Sequence, residues 1–121
     1  MARVLIAEDE PNLVESLSFI LERQGCDVSA VLDGEAVLEH VRRQPPDVLI
    51  LDVMLPKRNG FDVLQQIKAD PALRGIRVLV LTAKCQESDR KTAVDLGADV
   101  FVSKPFSNQD VIRHVMQLTA A

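Results

Sequence analysis

Apolar residues gather in five short runs along the chain, and each run is followed by a segment with helical spacing. The first, third and fourth runs are apolar at nearly every position, as expected of parallel strands that are covered on both faces. The second run alternates polar and apolar residues and the fifth is less apolar, which is typical of edge strands. The predicted strands are Arg3–Ala7, Asp27–Val31, Val48–Leu51, Arg77–Leu81 and Asp99–Ser103.

The segments between these runs carry apolar residues three and four positions apart, the spacing of one helix face. Pro11 predicts the start of the first helix, and Gly25 predicts its end through a left-handed turn. Asp33 and Ser107 are placed to cap the second and fifth helices. The fourth helix, from Glu87 to Leu96, has only a thin apolar side, so we expect it to pack loosely.

Strands that alternate with helices predict a doubly wound α/β domain, a flavodoxin-like (βα)5 sandwich around a five-stranded parallel sheet. With the most apolar strands in the centre, the expected strand order is 2-1-3-4-5. In this order the residues that follow the first and third strands meet at one rim, where the winding direction reverses. At 121 residues, we expect a single domain over residues 1–121.

The composition argues against several classes of function but does not identify one. With 47% apolar and 26% charged residues it is that of an ordinary globular protein, and the net charge of −4 argues against direct nucleic-acid binding. No apolar run is long enough to span a membrane and no signal peptide precedes the first strand, so we expect a cytoplasmic protein without membrane contact. Cys26 and Cys85 are expected to be reduced, and His40 and His114 to be structural or surface residues.

Polar side chains stand at the ends of four predicted strands. Glu8 and Asp9 follow the first strand, Asp52 the third, Thr82 the fourth and Lys104 the fifth. Three converging carboxylates repel one another unless a cation neutralises them, and hard oxygen ligands suit Mg²⁺. A hydroxyl and an ammonium opposite the acids could receive the oxygens of a phosphoryl group. Although each residue alone could be an ordinary turn or solvated residue, together they predict a phosphoryl-transfer site with Asp52 as nucleophile.

Over its whole length the sequence resembles the receiver domain of two-component response regulators. The resemblance rests on motifs at the strand ends: Glu8-Asp9, Asp52 with Met54-Leu55-Pro56 and Gly60, Thr82-Ala83-Lys84, and Lys104-Pro105-Phe106. It implies that Asp52 accepts phosphate from a sensor histidine kinase or a phosphotransfer protein. The domain would then be a signalling switch, not an enzyme acting on other substrates. The resemblance also implies that Glu8, Asp9, Asp52 and the Met54 carbonyl bind Mg²⁺.

The resemblance implies further roles on the fourth and fifth strands. Thr82 and Lys104 would bind the phosphoryl group and move towards it, and the Lys104–Pro105 peptide bond would be cis. Phe101 matches an aromatic switch position where tyrosine is common, although it lacks the tyrosine hydroxyl. Alternatively, Phe101 fills the groove beside the fourth helix. The implied output surface is the fourth helix, fifth strand and fifth helix, facing an output domain or partner protein; a phosphorylation-dependent homodimer is left open.

Two further side chains are placed to affect the lifetime of a phosphoryl group. Met54 and Lys84 lie two residues beyond Asp52 and Thr82, where they could screen the site from attacking water. We therefore expect substitutions at both positions to change the hydrolysis rate.

Other functions remain open for this topology. A haloacid-dehalogenase-type phosphatase or phosphotransferase needs a second acid two residues after the nucleophile, where this chain has Met54. A flavodoxin-like FMN carrier needs a phosphate-binding loop after the first strand, where this chain has Glu8-Asp9-Glu10. A non-phosphorylated interaction module would not need the full set of acids together with Thr82 and Lys104.

Overall fold

The computed structural model describes residues 1–83 and 87–120, in which five strands alternate with five helices. The strands are β1 (Arg3–Ala7), β2 (Asp27–Val31), β3 (Val48–Asp52), β4 (Arg77–Thr82) and β5 (Val100–Ser103). The helices are α1 (Pro11–Arg23), α2 (Gly34–Arg43), α3 (Gly60–Ala69), α4 (Glu87–Asp95) and α5 (Asn108–Thr119). The strands form one parallel sheet in the order β2-β1-β3-β4-β5, which confirms the predicted doubly wound fold. The predictions for Lys84 and Cys85 concern residues outside the described ranges.

Two apolar clusters hold the sheet, one on each face. Helices α1 and α5 supply one cluster, whereas α2, α3 and α4 supply the other. Strand β3 contributes to both, because Val48 and Ile50 join the first cluster while Leu49 and Leu51 join the second. A fully buried side chain of this size stabilises the fold by about 1.5–3 kcal/mol. The continuous apolar run before Asp52 is thus the central strand of the domain.

Local sequence signals bound the helices and strands within one residue of the predictions: β3 and β4 each extend one residue further, and α4 ends one residue earlier. Asp33 caps α2 by accepting the Ala36 N–H at 2.8 Å, and Ser107 caps α5 by accepting the Gln109 N–H at 3.1 Å. Gly25, after α1, has a φ of +90°, as a left-handed helix end requires. Strand β5 begins one residue later than predicted, since the Asp99 carboxylate accepts the N–H of Val78, at 2.7 Å.

Helix α4 has the thinnest packing of the described helices. Of its residues only Ala93 is fully buried, whereas α3 buries Gly60, Val63, Leu64 and Ile67. The thin apolar side predicted for the fourth helix is therefore confirmed. Among the described residues, no helix has the length and apolar character needed to cross a membrane.

The cysteine and histidines that the structure describes occupy structural positions. Cys26 is a free, buried thiol directly before β2, and burial raises its pKa. His40 lies in α2 and His114 in α5. None of them belongs to the group of residues that could hold a metal within residues 1–83 and 87–120.

Candidate functional site

The carboxyl ends of β1, β3 and β5 bring two acids and a lysine together. Ala7 pairs with Leu51 in the parallel register, so the residues that follow them, Glu8 and Asp52, lie side by side at the rim. The Lys104 Nζ atom lies 2.8 Å from Glu8 Oε1 and 3.2 Å from Asp52 Oδ2. One ammonium therefore bridges two carboxylates, which the sequence did not predict, because it had placed Lys104 against a phosphoryl group.

Both bridged acids are buried, and the second oxygen of each accepts a backbone hydrogen bond. Glu8 is 1% exposed and Asp52 is 3% exposed. The Asp9 N–H donates to Glu8 Oε2 at 3.0 Å, and the Met54 N–H donates to Asp52 Oδ1 at 3.0 Å. Burying a carboxylate is costly unless it is paired and hydrogen-bonded. These contacts supply that compensation and fix the orientation of both groups.

Burial and mutual repulsion change the protonation of the site. Burial raises the pKa of Glu8 to about 7, and the neighbouring Asp52 adds to the rise while Lys104 opposes it. For Lys104, burial on its own lowers the pKa, but the hydrogen bonds and charges of Glu8 and Asp52 outweigh it, so that the pKa is raised. Lys104 therefore stays charged, whereas Glu8 carries a proton part of the time near neutral pH.

Asp9 completes an acidic group that is open to solvent. Ligand oxygens of Glu8, Asp9 and Asp52 lie within 4.8 Å of one another, and Asp9 is exposed. Octahedral Mg²⁺, with bonds of 2.0–2.1 Å, sets its ligand oxygens roughly 3 to 4 Å apart. The three carboxylates therefore fit a single hard divalent cation, with the exposed side left for water or a phosphate.

Thr82 ends β4 and is fully buried. It pairs with Ser103 in the parallel register, and its carbonyl accepts the Lys104 N–H at 2.7 Å. The Lys104–Pro105 peptide bond that follows is cis. The backbone thus ties Thr82 directly to the residue whose ammonium bridges the two acids.

Phe101 lies half-buried on β5 and packs against the cluster that contains Ala93 of α4. The guanidinium carbon of Arg90, also on α4, lies 5.2 Å from the centre of the Phe101 ring. These are the surroundings that the alternative interpretation of Phe101 describes, a groove beside the fourth helix. Its role as a switch stays a prediction.

Gly60 allows a close backbone contact that the sequence analysis did not predict. There the residue was named only as part of the motif that follows Asp52. A Cβ atom at Gly60 would lie 2.5 Å from the Asp52 carbonyl oxygen and 2.7 Å from the Cα of Val53. The Gly60 N–H also donates to the Val53 carbonyl at 2.9 Å. The first turn of α3 therefore presses on the backbone of Asp52. The sequence did contain a signal of this contact. Gly60 directly follows the Asn59 cap, at a position where alanine would favour a helix more strongly than glycine does.

Comparisons with known proteins agree with this geometry. The family model described as the response regulator receiver domain matches residues 4–116. The chain belongs to the response regulator receiver domain family. This receiver domain is 39% identical over 109 residues to the alkaline phosphatase synthesis transcriptional regulatory protein PhoP of Bacillus subtilis (strain 168), covering 90% of this chain and 45% of PhoP. It is 37% identical over 113 residues to the DNA-binding response regulator MtrA of Mycolicibacterium smegmatis, covering 93% of this chain and 48% of MtrA.

A solved structure shows the same fold. The signal receiver domain of a signal transduction histidine kinase from Syntrophus aciditrophicus superposes with a TM-score of 0.90 at 32% identity, covering 98% of this chain and 89% of that chain. The chain spans about half the length of the curated relatives it matches. Family membership confirms the interpretation as a phosphorylation-dependent signalling switch over the alternatives left open by the sequence.

Proposed function

We propose that this receiver domain accepts a phosphoryl group on Asp52 from a phosphohistidine of a sensor histidine kinase or a phosphotransfer protein. The observation that carries the proposal is the juxtaposition of Asp52 with Glu8, Asp9 and Lys104. The acids offer ligand oxygens within 4.8 Å of one another, and the ammonium lies 3.2 Å from Asp52 Oδ2. A nucleophilic carboxylate, a cation site and a nearby positive charge are what phosphoryl transfer to an aspartate requires.

The metal ligands would be Glu8, Asp9, Asp52 and the Met54 carbonyl. When bound there, Mg²⁺ would neutralise the charge on the phosphoryl oxygens. The chain's own part is to hold the ligands: the Met54 N–H fixes Asp52 Oδ1, and the Asp9 N–H fixes Glu8 Oε2. The fit of the three carboxylates to one hard cation supports this assignment.

In the proposed step, a carboxylate oxygen of Asp52 attacks the phosphorus of the phosphohistidine. The O–P bond forms while the P–N bond breaks, and the released imidazole nitrogen takes a proton from solvent. Lys104 would leave its bridging position to pair with a phosphoryl oxygen, and the Thr82 hydroxyl would donate to another. The charge of Lys104 is secured by its raised pKa, which supports this role.

The movement of Lys104 and Thr82 would carry the signal to α4, β5 and α5, with Phe101 as the aromatic switch. Support for this route comes from the Thr82–Lys104 backbone hydrogen bond and the thin packing of α4. The surface would contact an output domain or a partner protein, or form a phosphorylation-dependent homodimer. The domain would work in the cytoplasm and catalyse only its own phosphorylation and dephosphorylation.

Intact-mass spectrometry after treatment with acetyl phosphate and Mg²⁺ tests the phosphorylation. We expect a mass increase of one phosphoryl group in the wild type, none in Asp52→Asn, and the full increase in the matched control Asp62→Asn, on α3. Omission of Mg²⁺ should abolish the increase. Modification of Asp52→Asn, or no modification of the wild type, would contradict the proposal.

A further inference from the structure

The loop that connects β3 to α3 contacts the start of α2. This loop, residues 53–59, carries Met54, whose carbonyl is a proposed metal ligand. On its far side, the Gly34 N–H donates to the Pro56 carbonyl at 3.1 Å, and Arg58 Nε lies 3.1 Å from Glu35 Oε1. We call this contact, between residues 33–35 and 56–58, the loop clasp.

Gly34 makes the loop clasp a contact between two backbones. A Cβ atom at this position would lie 2.5 Å from the Arg58 carbonyl oxygen and 2.6 Å from the Arg58 Cβ. Neither atom belongs to the flexible end of a side chain, so even alanine would displace the loop. The clasp therefore depends on glycine at position 34.

The loop residues of the clasp form a strained turn. The Arg58 N–H donates to the Pro56 carbonyl at 2.7 Å, across Lys57, whose φ is +67°. A three-residue turn with a positive central φ is rare for a residue with a side chain, and such a conformation costs about 1–3 kcal/mol. It persists only where neighbouring contacts determine it. Here the contacts come from the start of α2 and from its cap residue Asp33, whose Oδ2 atom lies 3.7 Å from Lys57 Nζ.

Both ends of the loop are fixed by packed structure. Val37 and Leu38 anchor α2 in the same apolar cluster that buries Val53 and Leu55 of the loop. At the other end, Gly60 lies directly against the backbone of β3. Met54 is thus held between a close backbone contact at Gly60 and the loop clasp.

We propose that Gly34, Glu35 and Arg58 are positioning residues for the metal site, because the loop clasp sets the position of the Met54 carbonyl. The inference rests on the proposed Mg²⁺ site. These residues act through the loop, since Gly34 donates to the Pro56 carbonyl and Arg58 pairs with Glu35. Residues that orient a metal ligand from outside the ligand set typically contribute about 10- to 100-fold to metal affinity.

The test compares Gly34→Ala with Gly75→Ala, whose added Cβ would meet nothing within 4 Å. Isothermal titration with Mg²⁺ should give a dissociation constant about tenfold higher for Gly34→Ala and unchanged for Gly75→Ala. In metal-free protein, amide exchange at residues 54–58 should be faster in Gly34→Ala alone. Saturating Mg²⁺ should restore its rate of phosphorylation by acetyl phosphate, because the change affects metal binding and not the nucleophile.

A charge exchange provides a milder variant that keeps the backbone contact, should Gly34→Ala fail to fold. Arg58→Glu should weaken Mg²⁺ binding about threefold, the scale of an exposed ion pair, and adding Glu35→Arg should restore it. Arg43→Glu is the matched control, since Arg43, the last residue of α2, pairs with Glu39 at 3.8 Å on the same helix and both side chains are exposed.

The outcomes separate this inference from the proposed function. If the wild type binds Mg²⁺ and both Gly34→Ala and Arg58→Glu bind it equally well, the positioning role is overturned while the phosphorylation site stands. If the wild type itself does not bind Mg²⁺, both are overturned. Weaker binding in the clasp variants with unchanged binding in both controls supports the inference.

Discussion

The carboxyl ends of the strands form one rim of the sheet, and the two halves of this rim are packed differently. At the β1–β3 half, Glu8 and Asp52 are buried and hydrogen-bonded, and Gly60 lies directly against the backbone of Asp52. At the β4–β5 half, α4 buries only Ala93, and each residue of β5 is half-buried. Loosely packed segments are those that rearrange at the lowest free-energy cost. The difference separates a fixed half, where the chemistry is proposed to occur, from a half suited to respond.

Lys104 joins the two halves. Its ammonium belongs to the fixed half, through Glu8 and Asp52, while its backbone N–H is bonded to Thr82 at the end of β4. A ligand that draws the ammonium away would therefore act on β5, which ends directly before Lys104 and is half-buried at every position.

Truncating one side chain in each half should reveal the difference in packing directly. Leu64→Ala, in α3, removes a fully buried side chain and should lower the free energy of unfolding by about 3 kcal/mol. Val94→Ala, in α4, removes an exposed one and should change it by about 0.5 kcal/mol or less. Urea unfolding of both variants measures the contrast, and equal losses would abolish the comparison.

Gly60→Ala tests whether the fixed half lacks space for one methyl group. The added Cβ would meet the Asp52 carbonyl oxygen at 2.5 Å, so we expect a loss of about 2 kcal/mol in the free energy of unfolding. Phosphorylation by acetyl phosphate should slow as well, since Asp52 must shift. Gly75→Ala is the control for the substitution itself. A stable, fully active Gly60→Ala would show that this half can deform.

Asp52→Asn should stabilise the metal-free protein by about 1 kcal/mol at pH 8, where Glu8 is largely ionised. The substitution removes one of two crowded negative charges and leaves Lys104 paired with Glu8 at 2.8 Å. Thermal unfolding in a chelator measures the effect, with Asp62→Asn as the control. A clear drop in melting temperature would refute the role of repulsion.

The raised pKa of Glu8 predicts how metal-free stability depends on pH. Between the ordinary pKa of 4.5 and about 7, the folded protein retains a proton that the unfolded chain has released. The stabilisation from this group is therefore complete below pH 4.5 and is lost as the pH rises through 7. Asp52 contributes to the raised pKa of Glu8. In Asp52→Asn, the free energy of unfolding measured with urea should therefore fall less steeply as the pH rises. Parallel profiles for the two proteins would contradict this explanation.

Phosphorylation should change amide exchange only in the responsive half. After acetyl phosphate and Mg²⁺, we expect altered exchange in α4, β5 and α5, whereas β1 and α1 serve as internal references. Mass spectrometry of the exchanged peptides makes the comparison, and Asp52→Asn controls for direct effects of the reagents. Unchanged exchange across α4 and β5 would remove the proposed output route.

Most of the fold could be predicted because its signals are local. The apolar run before Asp52 shows that β3 is buried on both faces, and Asp33 and Ser107 act on backbone atoms two or three residues away. The acids of the site were found for a related reason. Parallel strands place their carboxyl ends at one rim, so a residue's position at the end of a strand was sufficient.

The long-range contacts of the site could not be predicted, because they join residues far apart in sequence at atomic distances. Lys104 is 96 residues from Glu8 in the sequence, and Arg58, whose side chain donates a hydrogen bond to Glu35, is 23 residues from it. The need for glycine at position 34 depends on a backbone approach to Arg58 that no periodicity encodes. Sequence patterns located the functional groups, and packing determined what each of them contacts.

The bridging lysine has a consequence for the sequence of events at the rim. Above pH 7, three carboxylates and one ammonium leave an excess of two negative charges in a space a few ångströms wide. A phosphate donor, itself an anion, is repelled by such a field, at a cost of several kcal/mol for close charges near a protein surface. A divalent cation cancels the excess. In the proposed phosphorylation, the cation would therefore bind before the phosphate donor, and the concentration of free Mg²⁺ would set how much of the protein can accept a phosphoryl group.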